Sequence, residues 1–155
     1  MKITSLMEKN VHTCRPEDSL EEAAGTMLKG DVGALPVVDN DNKLVGMITD
    51  RDICMSSLIE GRSLKELPVS LAASTPAWAC MLEDSLADVR AAMQTHKIHR
   101  IPVVDENEKL IGIVGLGDIV HATSEKKSGF TPNDLTKTLA AIMEPREQAS
   151  PLKAT

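Results

Sequence analysis

The chain reads nearly the same twice, and internal repetition decides an architecture before any single residue does. Val11 to Ile53 lies over Ala77 to Ile119 without a gap, each residue pairing with the one 66 positions later. Glu17-Asp18-Ser19-Leu20 returns as Glu83-Asp84-Ser85-Leu86, and Pro36-Val37-Val38-Asp39 returns as Pro102-Val103-Val104-Asp105. Lys43-Leu44-x-Gly46 returns as Lys109-Leu110-x-Gly112, and Asp52-Ile53 as Asp118-Ile119. A unit of roughly 60 residues buries too little surface to be comfortably stable alone. Two copies in 155 residues therefore predict a pseudo-twofold pair sharing a core.

Composition narrows the class. Hydrophobic residues make up 42% and charged residues 26%, the ordinary range for a globular protein. A formal net charge of −6 and the lack of a local basic patch argue against nucleic acid as a partner. Cys14, Cys54 and Cys80 are odd in number and have no CxxC spacing, so disulfides and metal are poor readings. Cys14 and Cys80, at equivalent repeat positions, are expected to be small buried hydrophobes. The start Met1-Lys2-Ile3-Thr4 has no apolar signal core, and no run approaches the roughly 20 apolar residues of a membrane span. A cytoplasmic protein without a membrane partner is the expectation.

Each copy opens with an expected short strand, Val11 to Cys14 and Trp78 to Met81, followed by a helix. Asp18 or Ser19 can cap the first, and Leu20, Ala23, Ala24, Met27 and Leu28 give it one apolar face. Leu86, Val89 and Met93 repeat that face in the second copy. Gly30 is expected to end the first helix, with His96 and Lys97 where the second ends. Ala34 to Val38 and Arg100 to Val104 read as buried strands, each containing a proline near its start. Polar connectors of hairpin length lead into Leu44 to Thr49 and Leu110 to Gly115, and second helices begin near Asp50 or Asp52 and near Asp118. The fold class is thus mixed α/β (α+β), built from two β-α-β-β-α units. Thr131-Pro132-Asn133-Asp134 marks one more helix start, with Leu135, Leu139 and Ile142 on one face. The small and polar residues from Gln148 to Thr155 predict a disordered tail.

No catalytic constellation is present: there is no GxSxG, no HExxH and no Walker glycine loop. His96 and His99 straddle an expected helix end and lack a third metal ligand nearby. Met47-Ile48-Thr49-Asp50-Arg51-Asp52, by contrast, runs from a buried strand into a helix start, where backbone amides favour an anion. A carboxylate at Asp52 can accept two hydrogen bonds from a ribose cis-diol. The same Thr49-x-x-Asp52 spacing also serves a simple helix cap, and the two roles are compatible. Lys97, His99 and Arg100 can offer charge-assisted hydrogen bonds to a phosphate, or form the rim of a solvated face. Trp78, the single tryptophan in a chain with no tyrosine, suits either an adenine face or a core.

The strings LPVVDxxxKLVGMITDRDI and HRIPVVDxxxKLIGIVGLGDI resemble a tandem pair of CBS domains, together a Bateman module. The resemblance covers about residues 3 to 122. It assigns residues 3–57 and 77–123 to the two domains, 58–76 to a linker and 124–155 to a C-terminal extension with one helix. It implies a disc-like module that commonly forms a homodimer, with clefts between the repeats for AMP, ADP or ATP, or alternatively S-adenosylmethionine or NAD. No cofactor is required. In the family pattern Thr49 contacts phosphate or ribose and Asp52 the ribose hydroxyls. Met47 and Pro102 flank that site, Ala77 and Trp78 match base-contacting positions, and Lys97, His99 and Arg100 resemble a phosphate-holding run in the γ subunit of AMP-activated kinase. The second cleft departs from the pattern: Asp118 is retained, but Gly115 replaces the threonine and Asp31 to Leu35 replaces the basic run. Only Arg51 could bring positive charge there, with Val11 and His12 flanking the base position. The expectation is a regulatory, non-enzymatic module that signals nucleotide occupancy to a protein effector. The competing expectation is a structural dimerisation module whose clefts bind nothing.

Overall fold

The computed structural model describes residues 2–125 and 129–145. The expected tail from Gln148 to Thr155 lies outside them. In the first repeat, helix α1 (Leu20–Gly30) is followed by strands β1 (Ala34–Val38) and β2 (Leu44–Thr49) and helix α2 (Asp50–Glu60). A connecting stretch holds a 3-10 turn (Leu64–Glu66) and a short helix α3 (Val69–Ala72). The second repeat has strand β3 (Cys80–Met81), helix α4 (Leu86–His96), strands β4 (Arg100–Val104) and β5 (Leu110–Gly115) and helix α5 (Leu116–Ser124); helix α6 (Pro132–Met143) follows.

The repeats share their register as well as their sequence. β1 pairs antiparallel with β2 from Ala34↔Thr49 to Val38↔Leu44, and β4 pairs with β5 from Arg100↔Gly115 to Val104↔Leu110. Both ladders slip at the equivalent place, after Val37 and after Val103. Helices α1 and α4 start at capping boxes, Ser19 with Glu22 and Ser85 with Asp88, which satisfy amides that the first turn leaves open.

One expectation needs correction. The leading strand of the first repeat shrinks to a single bridge, Cys14↔Val37, and that of the second to Cys80–Met81, the only stretches over which these segments pair with β1 and β4 among the described residues. Gly30 is the last residue of α1, as expected, while the left-handed cap falls on the next residue, Asp31 at φ 51°, and its counterpart after α4 is Lys97 at φ 51°. Aspartate tolerates that region through local hydrogen bonding of its short side chain. The return of the chain into β4 imposes it on Lys97.

The halves meet on the pseudo-twofold. Lys43 bridges Lys109, its own repeat counterpart, with Leu44 N donating to Glu108 O and Leu110 N donating to Asn42 O, both at 3.0 Å. The segment ahead of each repeat also crosses to the other one. Glu8 pairs with Ile113 on β5, and Ser74, its equivalent, pairs with Met47 on β2. Ile3 is consequently buried among Leu86, Val89, Met93 and Ile101, whereas Leu67 and Val69 are buried among Leu20, Leu35 and Ile48. Each apolar core is completed by residues that precede the opposite repeat.

Candidate functional site

Thr49 ends β2 and caps α2. Its Oγ1 accepts from Asp52 N at 3.1 Å, while Asp52 Oδ2 accepts from Thr49 N at 2.8 Å and from Thr49 Oγ1 at 2.7 Å. Ser19–Glu22, Ser85–Asp88 and Thr131–Asp134 close in the same way at α1, α4 and α6, so this spacing by itself produces only a helix start. What distinguishes Thr49–Asp52 is its place, half-buried at the mouth of the β1–β2 hairpin, with no hydrogen bond to Asp52 Oδ1 among the described residues. At the equivalent mouth, Asp118 Oδ2 accepts from Gly115 N at 2.7 Å, and no hydroxyl is present to join it.

Met47 connects this mouth to the second repeat. It exchanges two backbone hydrogen bonds with Ser74, of 3.1 and 2.8 Å, and the chain then runs through the cis Thr75–Pro76 bond to Ala77 and Trp78. The Trp78 indole is 58% exposed and lies on the His96 imidazole, with ring centroids 3.6 Å apart and planes 14° from parallel. In the first repeat the equivalent pair is His12 on Gly30, where an added Cβ would stand 2.7 Å from His12 Cδ2. The stacked aromatic pair thus belongs to the second repeat alone.

Of the basic run, Lys97 is the engaged member: its ammonium lies 3.6 Å from Glu144 Oε2 and donates to Pro145 O at 3.2 Å. His99 and Arg100 are exposed, and their side chains form no recorded hydrogen bond or ion pair among the described residues. The His99 carbonyl accepts Leu116 N at 2.8 Å, and Arg100 pairs with Gly115 in the ladder, so both belong to the second hairpin mouth with Asp118. Pro102 is buried within β4, and Arg51 is exposed on the first turn of α2. The structure therefore links Met47, Thr49 and Asp52 to Ala77 and Trp78 through the Ser74 bridge. It makes no direct hydrogen bond from Thr49 or Asp52 to His99 or Arg100.

His96 and Glu144 were not singled out as site residues in the sequence. His96 had a signal, since it stands 66 positions after Gly30 in a repeat where His12 becomes Trp78. Glu144 had none, because the extension has no counterpart in the first repeat. The two buried thiols are poor nucleophiles: burial, helped by Asp18, pushes Cys14 up to about 12, and burial with Asp84 and Asp88 pushes Cys80 up to about 11. Among the described residues no three His, Cys, Asp or Glu side chains gather as a metal would require, and no helix is long and apolar enough to cross a membrane.

The CBS-domain family model matches residues 3–58 and again residues 68–125. The chain belongs to the CBS-domain family. Among relatives of this CBS pair, the CBS domain-containing protein YhcV of Bacillus subtilis is 39% identical over 128 residues, 82% of this chain and 89% of that protein. The solved CBS-pair protein CBSX2 in complex with AMP is 28% identical, covers 81% of this chain and 98% of its own, and superposes with a TM-score of 0.70. The CBS domain pair of protein MJ0100, in complex with 5′-methylthioadenosine and S-adenosyl-L-methionine, is 27% identical over 82% of this chain and 98% of its own, with a TM-score of 0.73. Hypoxic Response Protein I with two coordinated zinc ions is 30% identical over 78% and 98%, with a TM-score of 0.72. Two of these structural neighbours of the CBS pair therefore hold adenosine-type ligands.

Proposed function

We propose that this CBS pair is a non-catalytic regulatory module that binds one adenosine nucleotide of the AMP, ADP or ATP type per chain. The ligand lies at Thr49, Asp52, Ala77 and Trp78, flanked by Met47 and Pro102, with His99 and Arg100 reaching its phosphate from the second hairpin mouth. The observation that carries this reading is the exposed, pre-stacked indole. One face of Trp78 rests on His96 and much of the ring meets solvent, on the same chain segment that is tied to Met47 two residues before Thr49. Leaving that much aromatic surface wet forgoes burial that a purine face would supply. Asp52 would take the ribose hydroxyls on Oδ1, and the Arg100 guanidinium with the exposed His99 imidazole would meet phosphate. AMP on CBSX2, at 28% identity, supports the ligand class. The ligands of the MJ0100 pair keep S-adenosylmethionine as the alternative within it.

Signalling follows if the nucleotide prefers one relative orientation of the repeats, since a ligand shifts an equilibrium only by its differential affinity for the two states. The output is a protein effector reached through a homodimer, formed by the exposed apolar residues of α2. We place the protein in the cytoplasm, where such nucleotides are abundant.

Calorimetric titration with AMP, ATP, S-adenosylmethionine and NAD, with Trp78 fluorescence followed in parallel, tests the ligand. Saturable binding of one of them with a fluorescence change is expected. Asp52→Ala removes charge-assisted hydrogen bonds to the ribose, so its affinity should fall about tenfold to a hundredfold. Asp118→Ala removes no proposed ribose contact and should bind as the wild type does. Silence toward all four ligands would favour a structural dimerisation module.

A further inference from the structure

Helix α6 touches α4 along a single stripe. Arg90 Nη1 lies 3.6 Å from Asp134 Oδ1, Gln94 Nε2 donates to Thr138 Oγ1 at 3.0 Å, and Lys97 Nζ meets Glu144 Oε2 at 3.6 Å and Pro145 O at 3.2 Å. Positions 90, 94 and 97 fall on one helical face. Arg90 also lies over the Phe130 ring, 4.5 Å from its centroid, and Thr138 and Ile142 are buried against the second core. The middle of the strap is therefore firmly seated. Its end is held differently: the Glu144 side chain is largely exposed, and an exposed ion pair contributes little. In the first repeat the equivalent positions are Ala24, Leu28 and Asp31, which could form none of these contacts. The strap thus lies on the repeat that carries the basic run, and its weakest link holds the first cation of that run.

We propose that α6 is an autoinhibitory strap whose end, Glu144 with the Pro145 carbonyl, competes with an anionic ligand for the Lys97 ammonium. The proposal rests on the nucleotide reading above and adds to it a regulation of the same site. Lys97 has its backbone fixed where α4 stops, and a flexible four-carbon stem that can carry the ammonium from one anion to another. A phosphate with about two negative charges offers stronger charge-assisted hydrogen bonds than one exposed carboxylate and a neutral carbonyl. Ligand binding would then free the strap end, and by linkage a loosened strap end would tighten ligand binding by the same factor.

The test is a double-mutant cycle on the full-length chain: wild type, Glu144→Ala, Lys97→Met and the double variant, each titrated with AMP and with adenosine. Glu144→Ala is expected to tighten AMP about two- to fivefold, the range for losing one exposed ion pair, with adenosine unchanged. In the Lys97→Met background that gain should vanish. An equal gain in both backgrounds would show a general effect of removing negative charge and would overturn the competition, as would no gain in either. AMP binding with no coupling between the two sites defeats the strap alone. Failure of all four proteins to bind AMP and adenosine defeats the strap and the nucleotide reading together.

Discussion

Gly46 and Gly112 show how a repeated residue records a contact with a segment outside the repeat. A Cβ on Gly46 would stand 2.9 Å from Thr75 Cγ2 and 3.0 Å from Ser74 O; one on Gly112 would stand 2.7 Å from Met7 Sδ and 3.1 Å from Glu8 O. The glycine of each Lys-Leu-x-Gly string is where the segment leading into the other repeat crosses the strand. Gly46→Val should therefore lower stability by about 1–3 kcal/mol, the usual cost of forcing extra atoms into a packed site, as thermal or urea unfolding would measure. The recurrence of the glycine was plain in the sequence, but its reason was not. Ser74 and Glu8 lie before the spans of visible identity, and a backbone crossing leaves no mark on the crossing residues. Thr49 and Asp52 were legible as a pair because their spacing is local. The stack of Trp78 on His96 depends on a fold-level approach between residues 18 positions apart, so neither ring predicted the other.

At the scale of elements, helix starts were the most readable feature, since the cap and its acid lie three residues apart. Asp134 accepts from Thr131 N at 2.9 Å and from Thr131 Oγ1 at 2.7 Å and faces Arg90; these contacts, the Thr131 hydroxyl foremost, hold its carboxyl below the ordinary value of 3.8. A depressed carboxyl contributes stability that is present above its unfolded value and is lost as pH falls through the lower folded one. Asp134→Asn should therefore melt at a lower temperature than the wild type at neutral pH, and the gap should close as the solution is acidified below about pH 3.8. A gap that persists in acid would mean that the charge is irrelevant to the cap. The leading strands were over-read because the short segments Val11 to Cys14 and Trp78 to Met81 suggest extended chain but do not say over what length it pairs. The ends of α1 and α4 fall where the sequence placed them, at Gly30 and His96, but the left-handed caps on Asp31 and Lys97 carry no glycine to announce them.

The whole molecule is a near-symmetric body with an asymmetric coat. On the first repeat, Met55, Leu58 and Ile59 expose one apolar face of α2, with Leu58 75% and Ile59 76% exposed, and Leu28 is open on α1. The equivalent positions of the second repeat are Gln94, His121, Ser124 and Glu125, and α6 packs on that side. If the proposed homodimer uses the first-repeat face, Leu58→Glu combined with Ile59→Glu should convert a dimer to a monomer in sedimentation analysis while preserving the thermal melt; a wild-type monomer would exclude it. The repeat, the strand pairings and the pseudo-twofold were foreseeable from the sequence, since identity at a fixed offset survives any detail of packing. The asymmetry was not, because it arises from an extension with no second copy for comparison.

The crossed leading segments give the two halves an interdependence that pseudo-symmetry alone would not. Ile3 completes a core built by residues beyond Cys80, and Leu67 and Val69 complete one built by residues before Ile53. A cut near Gly61 would leave each fragment carrying the other's missing piece. Neither half is a spare of the other: they are complementary parts of a single cooperative unit, and a disturbance at the start of the chain is felt first in its second half.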